Sequence, residues 1–223
     1  MSFLKKVGKL FGGRGNGRPV TIAIARKICG KKFVLLPTGK LKKLPGISKL
    51  PSDIGYDEET IKNCAKENAK GEQWRLVLKL GLSVLDLSGA LKKLKIESFC
   101  MSSVWTLREE HPKEYGWLSC VEKPGYRLIN LKPVSTATAK VLSPHMEPAN
   151  IATVAEALIF ARIAYKERFL ENAFHAGKPV GGIIPIIGGY DAEDILLYTV
   201  PDDFLGFDMS ECNVGVVMCK VPE

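Results

Sequence analysis

The sequence predicts an α+β fold, with an antiparallel sheet covered by one long helix at about 151–175 and a flexible basic arm at the N-terminus. Three observations point there. Ile151, Val154, Ala155, Leu158, Ile159, Ala161, Tyr165, Phe169, Leu170 and Ala173 recur at helical spacing, interrupted only by Arg162. Several short runs rich in β-branched and aromatic residues are separated by Pro and Gly turns. A glycine-rich stretch, Gly12-Gly13-Arg14-Gly15-Asn16-Gly17-Arg18-Pro19, divides residues 1–19 from the rest. With 46% apolar residues, the remaining 20–223 can bury the core of a single globular domain.

The elements are expected in the following order. Residues 20–28 and 32–36 read as two strands around Gly30, followed by a Lys- and Pro-rich loop at 37–56. Asp57 caps a helix over roughly 58–70, with Glu58 and Glu59 in its first turn. Trp74, Leu76, Leu78 and Leu80 alternate with Arg75, Val77 and Lys79, which is a strand pattern. Ser88 starts a short helix through Leu94. Residues 96–107, 116–122, 126–131 and 134–142 read as further strands of a meander. Asn150 caps the long helix, and Gly177 with Pro179 ends it. The final strands are 194–200 and 213–221.

The charge is distributed unevenly. Residues 1–52 carry thirteen basic residues and no acidic one, a charge of +13. Residues 53–143 hold fourteen basic and twelve acidic residues, and residues 144–223 hold five and twelve, giving +2 and −7 within a total of +8. An acid-free arm seeks phosphate, in nucleic acid or in anionic lipid, or the acidic end of another copy. There is no run of eighteen apolar residues to span a membrane and no apolar core of a signal peptide.

No catalytic constellation is expected. The phosphate-loop, zinc-protease and nucleophile-elbow patterns are all missing. Six cysteines and three histidines show no metal-ligand spacing, so neither a metal nor a cofactor is expected, nor a small-molecule substrate. A Cys–His nucleophile pair stays open on composition alone.

Binding surfaces are easier to nominate. Wound as a helix, residues 3–11 gather Phe3, Leu4, Val7, Leu10 and Phe11 on one face, with Lys5, Lys6 and Lys9 towards the other. That is the pattern of a helix lying in a membrane interface. Lys40, Lys42 and Lys43 add charge for an anionic surface. Ile183, Ile184, Ile186 and Ile187 flank Pro185 between paired glycines, which suggests either an apolar loop that dips into a membrane or a buried edge segment. Asp202, Asp203, Asp208 and Glu211 form an acidic stretch that can receive the arm of a neighbouring copy, giving head-to-tail assembly.

The opening Met1-Ser2-Phe3-Leu4-Lys5-Lys6-Val7-Gly8-Lys9-Leu10-Phe11-Gly12 resembles the start of rhabdovirus matrix proteins, as do the size and charge layout. The resemblance is confined to about the first twenty residues, and the Pro-Pro-x-Tyr and Pro-Thr-Ala-Pro budding motifs are missing. It implies a structural protein of the virion and host cytoplasm. Such a protein coats the inner face of the envelope, binds anionic lipid, polymerises and contacts a nucleocapsid. The alternative is an RNA-binding viral protein of the movement or silencing-suppressor type using the same arm.

Overall fold

In the computed structural model nine strands among the described residues join in one mixed sheet, ordered β1-β2-β4-β9-β6-β7-β8-β3, with β5 also paired to β9. The structure describes residues 20–47, 51–96, 99–100, 104, 108–135, 138–139, 146–191, 194–202 and 213–220. The strands are β1 Val34–Leu35, β2 Trp74–Lys79, β3 Phe99–Cys100, β4 Gly125–Val134, β5 Glu147–Pro148, β6 Phe174–Ala176, β7 Ile183–Asp191, β8 Asp194–Pro201 and β9 Val214–Lys220. The expected sheet was antiparallel throughout, yet β1·β2, β3·β8 and β6·β9 run parallel. β9 joins the two halves, antiparallel to β4 and parallel to β6. It runs close to β4, because a side chain at Gly215 would strike the Val134 carbonyl at 2.7 Å. Opposite the Leu128–Lys220 pair the Tyr56 hydroxyl enters the ladder, accepting from the Leu128 N–H (3.1 Å) and donating to the Lys220 carbonyl (2.6 Å).

Helix starts follow the capping chemistry. Helix α1, Ile22–Cys29, replaces the strand expected at 20–28. The alternating Val20-Thr21-Ile22-Ala23-Ile24 fits a strand, but Thr21 Oγ1 accepts from the Ile24 N–H and Ala25 is the buried position. Local capping and two helix-favouring alanines outweigh a short alternation. Helix α2, Glu58–Asn68, starts at Asp57 as expected, with Oδ1 accepting from Thr60 N–H at 2.6 Å. Helix α3, Val84–Lys93, begins four residues before Ser88, because Ser83 and Asp86 form a reciprocal capping box. Residues 116–119 form a 3₁₀ turn rather than a strand, residues 138–139 are helical, and among the described residues of 96–107 Phe99–Cys100 is strand while Val104 is helical.

Helix α4, Ile151–Tyr165, is shorter than the expected 151–175 and lies differently. Asn150 caps it as read from the sequence, its Oδ1 accepting from Ala152 N–H at 2.8 Å. Every residue from Ile151 to Arg162 is buried, so the helix sits inside the fold rather than covering a sheet with one face. It packs on β1, β2, β7 and α3. It ends at Lys166, whose φ of 57° is left-handed and whose N–H reaches back to Ala161 and Arg162 carbonyls. Phe169 and Leu170 belong to the turn beyond, and Phe174 begins β6.

The isoleucine segment 183–187 is neither an exposed loop nor an edge. It opens β7, between β6 and β8, and Ile184, Ile186 and Ile187 are fully buried while Ile183 is half-buried. Pro185 is tolerated in this interior strand because its N and carbonyl point past the end of β6, where the carbonyl accepts from Gly177 N–H at 2.8 Å. The missing donor thus falls at the end of the β6–β7 pairing rather than in its middle, where proline is tolerated. The burial of Ile184, Ile186 and Ile187 is at odds with their insertion into a membrane, while Ile183 is half-buried.

A few ionisable groups are buried with this core. Lys79, 3% exposed, pairs with Glu122 at 2.7 Å, and Thr153 donates to the same carboxylate at 2.9 Å. Burial works to raise Glu122, but the Lys79 ammonium and these hydrogen bonds hold it below the usual range. Glu156 accepts from Leu80 N–H at 3.0 Å, and its second oxygen has no hydrogen-bond partner among the described residues. Burial pushes it up to about 8. His175 Nδ1 accepts from Val217 N–H at 3.0 Å, so Nε2 carries the proton and donates to the Ala149 carbonyl at 2.9 Å. Burial lowers this imidazole to about 4.

These placements give two expected outcomes. Truncating Ile186 to Ala removes a fully buried side chain and lowers unfolding stability by about 2–5 kcal/mol in urea denaturation. Unchanged stability with weakened vesicle binding would restore the exposed-loop reading. The pH dependence follows from the two buried groups. Glu156 favours the fold while protonated, so its contribution is complete below the ordinary 4.5 and is lost as pH rises towards 8. His175 favours the fold while neutral, so its contribution is complete above 6.5 and is lost as pH falls towards 4. Between those ordinary values the slopes oppose, and above them stability falls. Urea midpoints at about pH 6 and about pH 8.5 then differ in the native protein and converge in Glu156→Gln. A native protein equally stable at both refutes the assignment.

Candidate anion-binding cleft

Three separate pieces of chain meet at one cavity of about 620 Å³, lined by Lys40, Lys95, Ile96, Arg162, Ile163, Lys166 and Arg168. The first piece is a 3₁₀ turn, Gly39–Lys43. Leu41 and Leu44, three residues apart on one side of this tight turn, are buried at 0% and 4% exposure. That leaves Lys40, Lys42 and Lys43 exposed in solvent. The second piece follows α3, where Lys95 takes φ 55°. The third is the end of α4 and its left-handed Lys166. A left-handed lysine costs about 1–2 kcal/mol that glycine would avoid, and here two lysines at helix ends carry that strain beside the same cavity.

The charges decide what this place suits. Basic residues near helix C-termini ordinarily offset the dipole, and each helix end supplies only about −0.5. Two ends thus answer about one positive charge. Glu171 answers another, lying 3.5 Å from Arg168. Glu167 is drawn to Lys32 at 2.7 Å and Arg75 at 4.0 Å. Among the described residues no carboxylate lines the cavity. Five basic side chains thus share the lining, with no described carboxylate among them. Arg162 is buried at 7% exposure, and the Arg168 guanidinium lies over the Tyr190 ring at 5.1 Å.

Of the residues nominated from the sequence, Lys40 enters this cleft, and Lys42 and Lys43 stand exposed on the same turn. Ile183, Ile184, Ile186 and Ile187 lie elsewhere, in β7. Asp202 is exposed just past β8, its N–H bonded to the Gly182 carbonyl at 2.9 Å. Phe3 to Phe11, Asp203, Asp208 and Glu211 lie outside the described residues. Lys95, Arg162, Lys166 and Arg168 were missed. Arg162 gave one signal, as the cation that breaks the apolar face of α4, and it repeats at helical spacing with Lys166.

Burial raises the Cys29 thiol to about 11 and Cys64 and Cys219 to about 12, so these three stay protonated near neutrality. His175 has both ring nitrogens committed to backbone groups. A second cavity of about 200 Å³ lies by Trp117, Cys120, Glu122, Glu147 and Lys178. Among the described residues no three His, Cys, Asp or Glu side chains are grouped to hold a metal, and no helix is long and apolar enough to cross a membrane. Comparison with family models, with curated proteins and with solved structures found no match for this chain.

Proposed function

We propose that this chain is a peripheral structural protein of the viral matrix type, which binds anionic membrane through its basic arm and Lys-bearing turn and associates with further copies of itself. The observation that carries this reading is the turn Gly39–Lys43, whose buried Leu41 and Leu44 hold Lys40, Lys42 and Lys43 outward on the folded domain. Each basic residue near an anionic surface contributes roughly 1 kcal/mol. Three lysines of the turn with Lys5, Lys6, Lys9, Arg14 and Arg18 of the arm then give roughly 8 kcal/mol, an affinity near micromolar. Apolar insertion rests on Phe3, Leu4, Val7, Leu10 and Phe11 alone, since the isoleucines of β7 are buried. In the assembled layer the arm of one copy faces the acidic stretch of the next, from Asp202 to Glu211, and the opposite side meets a nucleocapsid.

The second reading is RNA binding by the same basic surface. It is favoured by one observation, the burial of Ile184, Ile186 and Ile187, which takes away the apolar loop a membrane would use and RNA would not.

Flotation of the full chain with phosphatidylserine vesicles, with and without added RNA, separates the two. Binding is expected to persist with RNA present. It is expected to drop about 100-fold in the triple variant Lys40→Gln, Lys42→Gln, Lys43→Gln, the equivalent of roughly three lost charges. Flotation untouched by the triple variant sinks the role of the turn, and complete displacement by RNA moves the assignment to nucleic acid.

A further inference from the structure

We propose that the cavity between the 3₁₀ turn Gly116–Ser119 and the junction of β5 with α4 seats a free α-amino acid with a short apolar side chain, taking its carboxylate and its ammonium on separate groups of the lining. The inference stands apart from the membrane reading.

Separate segments build this cavity of about 200 Å³. The 3₁₀ turn brings Trp117, β5 brings Glu147, the cap of α4 brings Asn150, and the connection from β6 to β7 brings Lys178. Each wall is fixed by bonds that involve no ligand. Leu118 is fully buried beside Trp117, and the nearby Tyr115 hydroxyl lies 2.9 Å from Thr199 Oγ1. Ala149, between Glu147 and Asn150, donates to the Val217 carbonyl at 2.8 Å and accepts from His175 at 2.9 Å. Gly177, next to Lys178, donates to the Pro185 carbonyl, and a side chain there would strike Ile151 Cγ1 at 2.8 Å. A site held by its own scaffold loses little freedom on binding.

Two observations select the ligand. The first is an orphaned donor. Trp117 is 8% exposed, and its buried Nε1 has no hydrogen-bond partner among the described residues. An unmet buried donor costs the fold, and an acceptor brought by a ligand recovers that cost. The second is charge of both signs. The Glu122 carboxylate, also in the lining, already accepts from Lys79 and Thr153, both at Oε2. Glu147 and Lys178 then bring one charge each, and among the described residues neither is paired with an opposite charge. Glu147 has the Cys219 thiol at 3.7 Å, a weak donor. Asn150 commits Oδ1 to the Ala152 N–H, so its amide offers a ligand the Nδ2 donors. Donors from Trp117, Asn150 and Lys178 suit a carboxylate, and Glu147 suits an ammonium. A divalent cation would leave the indole donor unmet, a phosphate would meet two carboxylates, and an apolar molecule would answer neither charge. The volume lies below the range of drug-sized sites, which matches a ligand of a few non-hydrogen atoms. Ile151 and Val180 supply apolar wall for a short aliphatic side chain.

The test is calorimetry of the full chain with L-valine, propionate and ethylamine, which carry both charged groups, the carboxylate alone and the ammonium alone. L-valine is expected to bind about tenfold or more tightly than either half. Trp117→Phe keeps an aromatic ring, removes the N–H and is expected to weaken L-valine about tenfold or more. Lys178→Gln and Glu147→Gln weaken it by a similar factor. Lys178 is exposed, so its variant keeps the native melting temperature and remains informative should Trp117→Phe unfold. Glu59→Gln, on an exposed position of α2 outside the cavity, leaves L-valine binding unchanged. A native chain that gives no heat with millimolar L-valine overturns the proposal. So does propionate bound as tightly as L-valine, or L-valine binding untouched by both charge variants. Flotation with phosphatidylserine against phosphatidylglycerol vesicles of equal charge tests the other source of the same chemistry, the serine headgroup. A phosphatidylserine preference lost in Trp117→Phe, without L-valine binding, overturns the free ligand. L-valine binding with no flotation on either vesicle supports the cavity and refutes the membrane role. Equal flotation with no L-valine binding overturns the cavity and leaves the membrane role standing.

Discussion

Twelve consecutive residues of α4, Ile151 to Arg162, are buried on every side, and the rest of the fold answers the demand this makes. A helix that is apolar all round has no solvent face, so it must be enclosed. The sheet reaches it through β1, β2 and β7, and α3 packs beside it. Enclosure also strands the few polar side chains within that run. Glu156 takes the Leu80 N–H beyond β2, and Thr153 donates to Glu122, which in turn holds Lys79. Three segments distant in sequence are thereby tied together at one buried polar cluster. Removing one member of such a cluster leaves the others unpaired, so it fixes the docking of α4 more sharply than apolar packing alone.

The enclosure stops where the cleft begins. After Arg162 the helix becomes half-buried, and the Tyr165 hydroxyl lies 3.1 Å from the Lys31 carbonyl and 3.2 Å from that of Val34, fixing the helix end against the start of β1. The chain then reverses at left-handed Lys166. This reversal carries Arg168 to the same cavity that Lys95 and Lys40 reach from their own segments. Gathering five like charges opposes folding through their mutual repulsion. The two helix ends and Glu171 relieve part of it, and the solvent-filled space screens more.

The sequence was most readable where one local rule decides. Asp57 and Asn150 cap their helices, and the alternation from Trp74 marks β2, because each signal lies within a few residues. It misled where two local rules compete. Val20 to Ile24 alternate like a strand, yet Thr21 caps a helix; Pro185 breaks ladders, yet it falls opposite Gly177, just past the end of β6. The apolar spacing that runs on from Tyr165 to Ala173 is helical in pattern but belongs to a turn and the approach to β6, because those side chains are buried by neighbours no window of sequence contains. The parallel pairings and the cleft are of the same kind. Only Lys40 was nominated, since Lys95, Arg162, Lys166 and Arg168 lie far along the chain and meet through the docking of two helices.

The burial of the isoleucines shifts how such a protein would hold a membrane. A loop of four isoleucines would contribute apolar insertion that salt leaves intact and that depends little on headgroup. With most of that segment in the core, what the described part of the domain turns towards an anionic surface at the Gly39–Lys43 turn is charge. Charge–charge attraction between exposed groups is screened within about 8 Å at physiological ionic strength. Affinity from the domain therefore depends on close approach, and close approach is what an outward-facing lysine turn beside a cleft provides. A flat patch of lysines counts charges and cannot tell one anionic lipid from another. Charge spread over the arm and the turn would therefore govern whether such a protein binds, with little preference among anionic lipids.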